Sequence, residues 1–192
     1  MDFYPESRFQ NWVKKIEGSE VNEEDPDSLA VFEQMLEDTI IACFSILNAV
    51  KSRELKKAEA LKELEKISHF FSQEYNFNSE IKSDIFMLTA EAIKAVVESF
   101  KYYLEGKNSK KGIQELIKEA VERERSGKLD LAFDAIARLG VKVINGEKLP
   151  EINLPEDSII LSWLDGIDAI DMVVELSKVD ASEETNEDED AK

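Results

Sequence analysis

Apolar residues in this chain recur at helical spacing, and alternation of strand type is scarce. Phe9, Trp12, Val13 and Ile16 fall at i, i+3, i+4 and i+7, which predicts a short amphipathic helix over 8–16. It is too short to stand alone in water and must dock on something. Over 28–52, Leu29, Leu36, Cys43 and Val50 repeat every seven residues, with Phe32, Thr39 and Ile46 interleaved. Ile41 and Phe44 extend the apolar surface round most of this helix, so it belongs at the centre of a bundle. A third helix over 55–75 carries the stripe Ala60, Leu64, Ile67, Phe71. A fourth over 81–104 carries Ile85, Leu88, Ala92, Val96 and Ser99. Two shorter helices, 110–126 and 129–144, read as a hairpin hinged at Gly127. Gly140 inside the second points to a close helix approach, because glycine there costs about 1 kcal/mol against alanine. The last helix runs to about residue 178, with Ile160, Trp163, Ile167, Ile170 and Val174 in line.

The punctuation agrees with this order. Pro26-Asp27-Ser28 starts the central helix, Ser79 and Ser109 are expected as N-caps, and Gly106 ends the fourth helix. Asn145-Gly146 fits either a helix end or a type I′ hairpin, and the helical period before it favours the helix end. Residues 148–155 hold two prolines and form a loop, after which Asp157 or Ser158 caps the last helix. The expected fold is all-α: a single helical-bundle domain of six or seven helices. It divides into an arm over 1–17, an acidic linker over 18–27 that does not itself pack, a bundle over 28–178 and a disordered acidic tail over 179–192.

Composition narrows the picture. With Gly 7 and Pro 4 in 192 residues there are too few turn formers for an all-β fold. A single cysteine excludes an internal disulfide and zinc-finger spacing, and suits a reducing compartment. No apolar run reaches membrane-span length, and the opening MDFYPESRF has no basic or apolar leader region, so a cytoplasmic protein is expected. The net charge of −18 opposes direct nucleic-acid binding. Two segments, 17–27 and 180–192, carry −12 of it, leaving an ordinary surface charge on the body.

The sequence lacks the familiar catalytic and metal-binding motifs. One histidine, His69, cannot supply the Glu-x-x-His pair of a di-iron bundle, and its place opposite the apolar stripe makes it a surface residue. Phosphate-binding loops and the nucleophile-elbow motif do not occur. Cys43 lies mid-stripe, where a thiol behaves as a small inert hydrophobe. Asp38 is the one acid near the buried side of the central helix and is expected to pair with a base of a neighbouring helix. Basic residues cluster at two turns, Lys51–Lys57 and Lys107–Lys111, where they complement helix C-termini. Asp165, Asp168 and Asp171 stand at successive i+3 steps. Packing around Gly166 and a solvated face account for them; the alternative places a divalent metal on Asp165 and Asp168.

Three stretches together resemble an archaeal family known as domain of unknown function 2150. They are Arg8-Phe9-Gln10-Asn11-Trp12 followed by Glu24-Asp25-Pro26-Asp27-Ser28, then Val143-Ile144-Asn145-Gly146-Glu147, then Trp163-Leu164-Asp165-Gly166-Ile167-Asp168. The resemblance runs to about residue 178. It implies an archaeal, mainly helical cytosolic protein and assigns no catalytic residue.

The functional expectation is therefore a non-enzymatic interaction or regulatory protein with no cofactor. Its partner is a protein, of basic surface, and a homodimer exchanging arms is a further form; membranes are not expected. The partner-binding residues are expected in the arm and linker: Phe9, Trp12, Ile16, Glu23, Glu24 and Asp25. The alternative is a helical enzyme or binding protein using a divalent metal or small ligand at acidic residues.

Overall fold

The computed structural model describes the backbone of residues 2–22, 24–155 and 158–187, and side chains within these ranges as far as Leu176. Among the described residues there are seven α helices, α1 (Glu6–Gly18), α2 (Ala30–Lys51), α3 (Lys57–Phe71), α4 (Glu80–Glu105), α5 (Ile113–Arg125), α6 (Leu129–Ile144) and α7 (Ile159–Glu187). A 3₁₀ turn, Pro26–Leu29, leads into α2, and no strand occurs among the described residues. Most of each stripe read from the sequence is core: Ala60, Leu64, Ile67 and Phe71 of α3, with Ile93, Val96 and Phe100 of α4, are all but sealed from solvent, whereas Ile41 of α2 and Leu88 of α4 are exposed because no other element covers them. Asn145-Gly146 is a helix end, with Gly146 at φ +91°, the left-handed conformation that closes α6. His69 is exposed and Cys43 fully buried.

Two caps differ from expectation. Ser79 stands at the N-cap of α4 but its side chain makes no cap bond there; the Ser83 hydroxyl instead accepts from the Phe77 amide. Ser109 folds a local turn onto the Lys111 amide, and α5 starts later, capped by Glu115 reaching back to the Gly112 amide. Asp157 lies outside the described residues. The Ser158 hydroxyl donates to Glu124, tying the start of α7 to α5. The acidic stretch 179–192 falls where side chains are not described; the α7 backbone continues as helix to Glu187.

The arm docks on its own body. Phe9 stacks on Phe70 with ring centroids 5.3 Å apart, and meets Phe71 and Tyr75 edge-on. Tyr4, Phe9 and Ile16 are fully buried. The buried Lys82 ammonium donates to the Glu17 carbonyl at 2.9 Å, satisfying the C-terminal end of α1. The linker is not the free tether its composition suggested. Val21 packs against the core, Ser28 and Asn22 exchange hydrogen bonds, and Asp25 accepts from the Asp27 amide.

Three helices cross tightly where glycine removes a side chain. A Cβ on Gly140 of α6 would stand 2.0 Å from the Ser99 hydroxyl of α4, so the predicted close approach is real. A Cβ on Gly166 of α7 would stand 2.4 Å from the Ala92 carbonyl oxygen of α4. The Gly166 contact is against backbone, which has no rotamer by which to yield. It fixes how α7 lies over α4, and hence the shape of the surface beside it.

Candidate functional site: an acid-rimmed apolar groove

Past the Gly166–Ala92 crossing, α2, α4 and α7 leave a groove of about 600 Å³ between them. Its apolar surface comes from Leu36 of α2, Ile85, Leu88 and Ala92 of α4, and Met172 and Leu176 of α7. Each helix contributes the edge of its core stripe, the part that no other element covers. Leu88 is 52% exposed, Met172 57% and Leu176 59%. Isolated exposed leucines are ordinary, but three large, exposed apolar side chains on one concave surface are not.

The rim is acidic. Glu33 and Glu37, one turn apart on α2, form one wall, and Asp165 and Asp168 of α7 another. No lysine or arginine lines the groove. Among the described residues none of these four carboxylates has an ion-pair or side-chain hydrogen-bond partner. Asp165 is open on its outer side, yet protein crowding its carboxyl raises its pKa above the usual carboxylate value, and the charge of Asp168 adds to the rise. Asp171, the third of the i+3 series, is turned to other work: its carboxylate accepts from the Leu149 amide at 3.3 Å and fastens the loop after α6.

The arm residues are placed differently. Phe9 and Ile16 lie in the chain's own core and have no surface left for another molecule in this conformation. Trp12 is half-buried, and its indole N–H donates to Asp38 at 2.8 Å. Arg8 donates to the same carboxylate from Nε at 2.9 Å and Nη2 at 2.6 Å, the pairing expected for Asp38. Glu24 and Asp25 are exposed on the linker and do not line the groove, although Leu29 of the 3₁₀ turn that follows does, and Glu23 lies outside the described residues.

Besides its carboxylates the groove has a single polar side chain among the described residues. Its one hydroxyl, Thr89, donates to the Ile85 carbonyl of its own helix at 2.8 Å. Among the described residues no three histidine, cysteine or acidic side chains gather as they would to hold a metal, and Asp165 and Asp168 are a pair without a third ligand. The Cys43 thiol is pushed well above its usual range by burial and is far from being a nucleophile. On the other flank of α7 a shallower depression lies between α2 and α6, with Lys51 at its edge stacked over the Tyr103 ring at 5.6 Å.

Sequence reasoning did not find the groove. By period Leu88 and Ala92 belong to a core stripe, no pattern singles out Met172 or Leu176, and Glu33 and Glu37 look like any solvated helix face until α7 is laid beside them; of the groove's residues the sequence marks Asp165 and Asp168 as a candidate pair. Among the described residues no helix is long and apolar enough to cross a membrane. No curated protein and no solved structure matches the chain. The model of one protein family does match, over residues 2–184; it is described as an uncharacterized protein conserved in archaea (DUF2150), and the chain belongs to that family.

Proposed function

We propose that this is a non-enzymatic interaction protein, and that the groove between α2, α4 and α7 is the surface it offers to another protein. The observation that carries this reading is the set of exposed Leu88, Met172 and Leu176 on a concave surface framed by unpaired carboxylates. Apolar surface left in water forgoes about 25 cal/mol per Å², and a partner that covers it recovers that energy. Methionine at such a site adapts to differently shaped partners.

The test compares the intact protein with L88E/L176E as baits in native cell lysate. Both side chains are more than half exposed, so the double variant should melt within about 2 °C of the parent. The parent should retain a protein that the variant does not, and high salt should release it. Identical retention by the two baits, or none by either at low salt, would remove the basis for the proposal.

A further inference from the structure

We infer that the groove's occupant is a basic amphipathic helix of another protein, laid along α2, α4 and α7 with its apolar stripe on Leu88, Met172 and Leu176 and its cationic flanks toward Glu33, Glu37, Asp165 and Asp168. The inference rests on the interaction reading above and adds the chemistry of the partner.

The shape comes first. Three helices form the walls of the groove, and its volume of about 600 Å³ matches a handful of aliphatic side chains rather than a folded domain. A helix is a rod about 10–12 Å across that presents such side chains in a line at i, i+3 or i+4, and i+7. Packing it here completes a bundle with the same ridge-into-groove contacts that the chain's own helices use.

Charge then selects among helices. Among the described residues the groove carries four carboxylates, no base, and no ion-pair or side-chain hydrogen-bond partner for any of the four. Glu33 and Glu37 stand at i and i+4 on α2, while Asp165 and Asp168 stand at i and i+3 on α7, so each pair faces one side of the groove over a helical turn. A lysine or arginine row on each flank of a bound helix would meet these pairs. A second copy of this groove is disfavoured, because face-to-face pairing sets the same four acids against themselves. Anionic lipid and nucleic acid meet the same repulsion. The chain's own acidic segments are excluded on the same ground, and the apolar face of α1 is already buried elsewhere.

The test uses the full chain and a fluorescent model helix of about eighteen residues with leucine at the i, i+3, i+4, i+7 positions and lysine at the others. Its counterpart has glutamate in place of every lysine. Anisotropy should show saturable binding of the lysine helix and none of the glutamate helix. In the variant E33Q/E37Q/D165N/D168N the affinity for the lysine helix should fall about tenfold or more. E20Q/E54Q/E65Q/E74Q removes the same charge from exposed positions elsewhere and should keep the affinity within about twofold, which separates groove binding from general attraction to an acidic protein. L88E/L176E should also lose binding. Equal losses in the two charge variants, or binding untouched by L88E/L176E, would overturn the inference. If L88E/L176E loses a native partner while the lysine helix never binds, the interaction reading stands and the basic helix falls.

Discussion

Gly166 shows how much a single position can decide. With no side chain it lets α7 sit against the Ala92 carbonyl, and an added methyl would stand 2.4 Å from that oxygen. The backbone of α4 cannot rotate out of the way, so Gly166→Ala must push the two helices apart. Overpacking of this kind costs about 1–3 kcal/mol, and urea denaturation should show a loss in that range. Asp165, next to it, makes a prediction about pH. Its folded pKa is raised, by crowding and then by Asp168, so the folded state holds this proton more tightly than the unfolded chain does. The stability it contributes is complete below the ordinary aspartate value and is lost as pH rises through the raised folded value. Asp165→Asn removes the titration. Relative to the parent, the variant should therefore do best near pH 7, and its relative stability should decline as the pH is lowered toward 4. A variant whose relative stability grew toward acid pH would contradict the environment assigned to this carboxyl. Tyr4 illustrates the same burial physics in a phenol: its pKa is pushed up to about 12, beside the Thr39 hydroxyl at 3.3 Å.

At the level of elements, the helices were legible because a 3.6-residue period writes each buried face into the sequence. Ala60, Leu64, Ile67 and Phe71 needed no partner to be named before they could be assigned to a core. Pairings across the chain were not legible. Asp38 could be seen as an acid on a buried side, but Arg8 and Trp12 lie 30 and 26 residues away and reach it only because α1 folds back. The aromatic cluster of Phe9, Phe70, Phe71, Tyr75 and Phe86 is likewise drawn from three segments that no local pattern connects. The groove was hidden for the opposite reason. Its apolar residues continue core stripes, and periodicity cannot say where a stripe runs past the end of its neighbour. The docking of α1 is testable as an element. Trp12→Ala removes the hydrogen bond to Asp38 and the stacking of Lys15 over the indole at 4.2 Å, along with half-buried ring surface. A loss of about 2 kcal/mol is expected, lowering the melting temperature by roughly 4–8 °C. The particle size should not change. A mass that halves from twice 21.8 kDa would mean that the arm belongs to a second copy instead.

The whole molecule is an acidic helical bundle whose charge is unevenly placed. The net −18 disfavours approach to anything anionic, and on the proposed reading the apolar strip on α4 and α7 would give a cationic partner drawn in by that charge a place to stop. The four methionines of the chain make this directly observable, because Met172 lines the groove and Met35 is sealed in the core. With the methionine methyl groups labelled with carbon-13, the lysine–leucine helix is titrated into the intact protein and the methyl resonances are followed. The Met172 signal should move progressively and saturate with the peptide, with Met35 in the core holding its position. A Met172 signal that stays in place at saturating peptide, while other resonances move, would show that binding occurs elsewhere and that the groove is not the interaction surface.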